Sequence, residues 1–253
     1  MKIHNEFQQN SLEWLNARAG VVTASEFDNL LTPKFAIKEG KAVKSYLAQK
    51  VAEKWLGGPL PSFNSIDMDF GKILEEEALP TYTLMTGQAI ERVAFITRDD
   101  GRVGCSPDGL IGERAGIEVK CPRPDTHTKY LLAGVLPEDY AVQVHGSMFV
   151  TGRPEWVFCS YSRHFPLFTL TIKRDEEIIG QIEKATEDFL VLLDSAMKRI
   201  EEINGGPPSR LSRVLKDLKG DGDGKALGAL VGNVEKQQED VELMKAFNLD
   251  LVP

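Results

Sequence analysis

The chain has 253 residues, 42% of them hydrophobic, and a formal net charge of −8. That length suits one domain with a substantial core, or one domain and an appendage. No apolar run approaches the ~20 residues of a membrane span, and the N-terminal MKIHNEFQQNS has no apolar signal-peptide core, so a soluble cytoplasmic protein with no membrane partner is expected. The cysteines, Cys105, Cys121 and Cys159, are odd in number and lack metal-ligand spacing, which argues against a disulfide framework or a zinc site. An acidic balance counts against a general basic coat for nucleic acid. It leaves room for a basic channel inside an acidic exterior.

In chain order, Asn10 or Ser11 is placed to cap a first helix that Gly20 ends. Thr23 or Ser25 starts a second, through Leu31. Residues 38–56 repeat apolar positions near the helical period and predict a helix; GGPLPSF at 57–63 predicts a loop. A long helix follows at 68–86, which Pro80 is expected to kink or split. The period then changes. Residues 89–97 alternate as a strand does, 99–101 make a tight turn, and RVGCS and DGLIGE form short strands around Pro107. Residues 116–122 form a strand stopped by Pro122, 125–134 and 138–151 form helices, 155–162 and 167–172 form strands, and 174–203 form a long amphipathic helix.

From Gly205 the composition shifts towards Gly and Asp, predicting a linker over 205–233 and a short helix over 233–247. The D-G-D-G piece there lacks the downstream glutamate of a calcium loop. The expected organisation is a domain at 1–204 and a C-terminal extension at 205–253. The fold class is α/β, a mixed central sheet of four or five strands flanked by helices.

The stretch GCSPDGLIGERAGIEVKCP at 104–122 carries Asp108, then Glu118 ten residues on and Lys120 two further. On a strand, Glu118 and Lys120 share a face while Val119 turns to the other. With the Asp108 turn beside that strand, two carboxylates and an ammonium converge. Such a set suits phosphodiester hydrolysis. Asp108 and Glu118 offer hard oxygen ligands to magnesium, with the Val119 carbonyl as a third. Lys120 is placed to orient or deprotonate water, or to neutralise developing charge, and deprotonation requires that neighbours depress its pKa. Asp in a PDG turn and Glu-x-Lys on a strand are also common structural features, so the triad alone supports only a loose reading.

Five blocks occur in order. They are W-x3-R-x-G-x2-TAS (Trp14, Arg18, Gly20, Thr23 to Ser25), G-x3-E (Gly71, Glu75), CSPDGL (Cys105 to Leu110), EVKCP (Glu118 to Pro122) and AVQVHGSMFVTGR (Ala141 to Arg153). The series closely resembles the lambda-exonuclease family, the YqaJ-like viral recombinase group, within the PD-(D/E)XK nuclease superfamily. The resemblance covers about 11–172 and implies a restriction-endonuclease-like core. It implies metal ligation by Asp108 and Glu118 of Mg2+, or of Mn2+, by one ion or two. Lys120 would stand near the nucleophilic water, Glu75 would assist the metal, and Gln143 would position water or the lysine. It further implies a 5′-phosphate pocket of Arg18, Ser25 and Ser106. The implied activity is processive 5′-to-3′ digestion of one strand at double-stranded DNA ends by a ring-shaped homotrimer, partnered by a single-strand annealing protein. The C-terminal extension would contact that partner or pack on the ring.

The alternatives are another nuclease of the superfamily, an endonuclease or junction resolvase, and an inactive DNA-binding protein of the same fold. Among the remaining residues, Trp14 reads as core rather than base-stacking. His127 and His164 read as surface or satisfied structural residues, and His145 as drift or as a neighbour of the site. Lys34, Lys38, Lys41 and Lys44 read equally as a DNA track or a solvated face.

Overall fold

The computed structural model describes residues 1–61 and 66–204, with the backbone alone for 66–73. The chain divides into two units, Met1–Glu202 and Ile203–Pro253. The linker expected at 205–233, the D-G-D-G piece and the helix expected at 233–247 lie outside the described residues.

The first strand, β1 (Lys2–His4), pairs with β3 (Phe95–Thr97). Ser11 caps α1 (Leu12–Arg18), its Oγ accepting from Trp14 N at 3.1 Å. Gly20 then turns the chain at φ +72°, where a Cβ would also run into Lys54. The helix expected from Thr23 or Ser25 is shorter than its sequence suggested. The β-branched run Val21–Val22–Thr23 yields β2 (Val22–Thr23), followed by a 3₁₀ helix, Ala24–Asn29. Next comes α2 (Lys41–Leu56), closed by Gly57 in the left-handed region.

The helix α3 (Ile66–Thr86) runs unbroken through Pro80. Pro80 and Glu76 are both exposed, so the carbonyl that loses its donor can turn to water. The strand expected at 89–97 contracts to β3, with Glu91 left as an isolated bridge to Leu110. Thereafter come β4 (Val103–Cys105), β5 (Gly109–Ile111), β6 (Ala115–Lys120), α4 (Pro124–Ala133), α5 (Glu138–Thr151), β7 (Glu155–Ser160), β8 (Phe168–Lys173) and α6 (Glu176–Asn204).

The strands form two mixed sheets of four, ordered β1-β3-β4-β2 and β5-β6-β7-β8. The Glu91–Leu110 bridge, two hydrogen bonds of 2.8 Å, links the chain leading into the first sheet to the edge of the second. The mixed α/β class therefore holds, with two sheets where a single one of four or five strands was expected. The strands with no counterpart among the segments named from the sequence are β1 and β2, too short to show a period. In the second sheet β6 and β7 are parallel, joined through α4 and α5.

The two faces of β6 have different neighbours. Ile117 and Val119, with Val157 and Cys159, pack against Ala78, Leu79 and Tyr82 of α3. Trp156 and Phe158 belong to the larger cluster, with Phe27, Met148 and Phe189. Burial of Ile179, Ile182, Thr186, Phe189 and Leu193 on α6 gives the stripe its amphipathic sequence promised. Among the described residues, no helix is long and apolar enough to cross a membrane.

Candidate functional site

The turn between β4 and β5 brings Asp108 to β6. Gln9 steadies it, donating through Nε2 to the carbonyls of Pro107 at 2.8 Å and Val93 at 3.0 Å. Gly109 allows the approach, since a Cβ there would run into Ile90 and crowd the Glu91 carbonyl. Asp108 N then donates to the Ile117 carbonyl at 3.2 Å, and Val119 N donates to Asp108 Oδ2 at 2.5 Å. The carboxyl thus lies against the strand that carries Glu118.

Glu118 is 3% exposed. Its Oε1 accepts from Lys120 Nζ at 2.7 Å and from Gln143 Nε2 of α5 at 2.6 Å. Its Oε2 is buried with no partner. Glu75 approaches the Asp108 carboxyl from α3, while Arg92 Nη1 stands 3.8 Å from Glu75 Oε1. Asp108, Glu118, Lys120, Glu75 and Gln143 are therefore together. Val119 contributes its amide to Asp108 and its side chain to the opposite face.

The electrostatics follow from burial and crowding. Burial, then the negative charges of Glu118 and Glu75, raise Asp108 well above the usual carboxylate range. Burial likewise raises Glu75. For Lys120, burial alone would lower the pKa, but the charges of Glu118 and Asp108 outweigh it and hold the ammonium above its ordinary value.

The buried, unpartnered Glu118 Oε2, with the Asp108 and Glu75 carboxyls in the same neighbourhood, supplies hard oxygen donors of the kind a divalent cation takes. Among the described residues, no three His, Cys, Asp or Glu side chains converge tightly enough to hold one by themselves. Backbone, water or substrate oxygens would complete the shell, as suits magnesium.

A second cluster adjoins the first. Arg18 Nη1 donates to Ser106 Oγ at 2.8 Å, and Nη2 donates to Ser25 Oγ at 3.2 Å and Thr23 Oγ1 at 3.3 Å. The guanidinium carbon lies 4.4 Å over the Trp14 ring. Trp14 Nε1 also donates to Ser106 Oγ at 3.0 Å. Trp14, read from sequence as core, is half-buried and serves as the floor under Arg18. Burial lowers the Arg18 pKa, yet a guanidinium stays charged. This cluster offers one cation and the hydroxyls of Ser25 and Ser106 to an anion, the Thr23 hydroxyl being donated to Glu26.

The other residues singled out fall outside these clusters. His127 is fully buried, its Nε2 donating to the Pro166 carbonyl at 3.0 Å and its Nδ1 accepting from Ser160 Oγ at 2.8 Å. His164 is exposed. His145 packs edge-on against Phe35 at 5.4 Å, and a two-residue step along a helix turns it away from Gln143. Lys38 Nζ donates to the Asp28 carbonyl at 2.5 Å, while Lys34, Lys41 and Lys44 are exposed. An open cavity of about 400 Å³ beside Arg98 and Phe149 contains none of the clustered residues.

Sequence reading missed Gln9, Glu26, Lys50 and Arg92. A signal existed for Lys50, a charge at an inward position of α2, but none for Gln9 or Arg92, whose partners are distant in the chain.

A family profile for the YqaJ-like viral recombinase domain matches residues 13–154, more than half of the chain and a span that contains both clusters. No curated protein matches the chain. Two crystal structures of LHK-Exo, an alkaline exonuclease from Laribacter hongkongensis, one in complex with dAMP, are similar at a TM-score of 0.70 and 29% identity, over 77% of this chain and 98% of that one. A phage-related exonuclease from Haemophilus somnus 129PT shares the fold at a TM-score of 0.52 and 16% identity, over 71% of this chain and 96% of that one. The fold is the restriction-endonuclease-like one of these exonucleases, and the chain belongs to the YqaJ-like viral recombinase family.

Proposed function

We propose that this protein is a metal-dependent exonuclease that digests one strand of linear duplex DNA from its 5′ end, releasing 5′-mononucleotides and leaving a 3′ single-stranded overhang. Family membership and the likeness to LHK-Exo support the nuclease class. The observation that carries the rest is that Ser106, bonded to Arg18, and Asp108, bonded to β6, are two residues apart. Their Cα atoms are therefore at most about 7 Å apart, on the order of one nucleotide step. A terminal phosphate on Arg18, Ser25 and Ser106 would lay the next phosphodiester on the carboxylates. Arginine suits that task through its bidentate fork, and the hydroxyls add donors.

Asp108 and Glu118, with the Val119 carbonyl, would hold magnesium or manganese, one ion or two, which when bound lowers the pKa of an attacking water and stabilises charge on the phosphoryl oxygens. Lys120, held as an ammonium, orients the water and neutralises developing charge. Gln143 fixes the Glu118 oxygen that Lys120 shares, and so sets the position of both. Glu75, beside Asp108, would assist the metal directly or through water.

A ring-shaped trimer around DNA would give processivity, and an annealing protein would take up the overhang. Leu84 and Met85 at the end of α3, with Leu132 and Val135 beside the end of α4, are strongly exposed apolar side chains that such an assembly could cover. Sedimentation at micromolar concentration tests this, and a monomer would refute it.

The activity test compares linear duplexes bearing 5′-phosphoryl or 5′-hydroxyl ends, and closed circles, each with magnesium. Wild type should digest phosphorylated ends fastest and spare circles. Asp108→Ala should lose about three orders of magnitude or more, and Arg18→Ala should lose the preference between ends. Cutting of closed circles would point instead to an endonuclease, and inertness of wild type would overturn the proposal.

A further inference from the structure

Beneath the Arg18 cluster lies a buried ion network that core packing does not require. On α2, Tyr46, Lys50 and Glu53 occupy positions i, i+4 and i+7, the stripe where apolar residues are expected. Lys50 is 3% exposed and Glu53 is 6% exposed. Lys50 Nζ lies 2.9 Å from Glu26 Oε2 and 3.0 Å from Glu53 Oε2. Burying such charges is costly, and apolar residues of similar volume often stabilise a fold as well or better.

The partners of the network indicate what it holds. Glu53 Oε2 accepts from Gly20 N at 2.8 Å, and Glu26 Oε2 accepts from Thr23 Oγ1 at 2.7 Å. Gln49 Nε2 donates to both carboxylates, at 3.3 Å to Glu26 and 2.9 Å to Glu53. Thr23 Oγ1 in turn accepts from Arg18 Nη2 at 3.3 Å. The segment 18–25, which carries Arg18, Thr23 and Ser25, is thus tied to one ammonium towards both of its ends.

The four charges balance, Arg18 and Lys50 against Glu26 and Glu53. Burial would raise the Glu26 carboxyl, but the Lys50 charge and hydrogen bond outweigh it and hold Glu26 below the usual range. Without Lys50, Glu26 would keep the neutral donors Thr23, Gln49 and Tyr46, and the cation left acting on it would be Arg18, beyond the Thr23 hydroxyl. Glu26 would draw on the guanidinium and repel an incoming phosphate.

We propose that Lys50 is a positioning residue for recognition of the 5′-terminal phosphate, acting through Glu26 and Thr23 on Arg18. The proposal rests on reading Arg18, Ser25 and Ser106 as the phosphate pocket.

The experiment measures kcat/KM on duplexes with 5′-phosphoryl and with 5′-hydroxyl ends, for full-length wild type, Lys50→Met, Lys50→Met/Glu26→Gln and Thr23→Val, with the thermal melt of each. Lys50→Met should lower the phosphoryl-to-hydroxyl ratio about tenfold or more, the scale of one charge-assisted hydrogen bond, through KM rather than kcat. The double variant, which also removes the stranded carboxylate, should recover part of that ratio; a packing defect alone would give no recovery. Thr23→Val, nearly isosteric, should lower the ratio by itself, and it decides the matter if Lys50→Met does not fold. A wild-type ratio near one overturns the phosphate pocket and this proposal together. A wild-type preference retained in Thr23→Val and in folded Lys50→Met overturns the proposal alone.

Discussion

Asp108→Asn should abolish activity and yet make the metal-free protein more stable. The carboxyl is nearly buried and faces Glu118 and Glu75, and its raised pKa means the folded state disfavours its charge. Burying a carboxylate costs several kcal/mol. The hydrogen bond from Val119 N offsets about 1.5–3 kcal/mol, and asparagine keeps that acceptor. A net gain of roughly 1–3 kcal/mol is expected, which for a unit of this size raises Tm by roughly 2–12 °C. The sign with pH follows from the raised pKa. The native state binds the proton more tightly, so wild type loses stability as pH rises from about 3.9 towards the raised native value. The advantage of the variant opens across that window and is complete above it. The assay is thermal and urea denaturation in a chelator across that range, repeated with magnesium. Magnesium at a hundred times its Kd should add about 2.7 kcal/mol to wild type and far less to the variant. If the variant is the less stable protein in chelator, or if magnesium raises both equally, the account of crowded carboxylates awaiting a cation is wrong.

Lys120→Met should lower kcat about a hundred- to a thousandfold with little change in KM, measured on 5′-phosphorylated duplex; a KM effect alone would make Lys120 a binding group. Gly109→Ala has no space for its methyl beside Ile90. It should cost about 1–3 kcal/mol in urea denaturation and a larger share of activity, because the Asp108 turn must shift. His127→Phe should strand the Ser160 hydroxyl and the Pro166 carbonyl, for a loss of about 2–4 kcal/mol, with kcat per folded molecule unchanged. A catalytic defect in that folded variant would mean that His127 has a part in the reaction.

Within the candidate centre, Asp108, Glu118 and Lys120 were legible from local pattern, whereas Glu75 and Gln143 entered through the family resemblance. Glu118 and Lys120 alternate on a strand, and the PDG turn places Asp108. Glu75 is distinguishable from Glu76 and Glu77, since Glu75, Ala78, Leu79 and Tyr82 stand at i, i+3, i+4 and i+7 on the buried stripe of α3. Glu76 is exposed and shares Arg92 with Glu75, and Glu77 pairs with Arg163. Strands of two and three residues, β2 and β1, gave no period to read. The Lys50 network escaped because its charges mimic a solvated face and their partners lie some 25 residues away in the chain.

The seating of Glu75 has a consequence for how such an enzyme adapts. The same helical stripe that ends in Glu75 is the one whose apolar residues rest on the back of β6, opposite Glu118. Ala78 has no exposed surface and sits where α3 meets that sheet. A methyl gained or lost there would shift the helix, and with it the distance between Glu75 and Asp108. Positions that never touch DNA can therefore act as fine adjustment for the chemistry. Selection can tune the rate from within the core while every polar group of the centre stays the same.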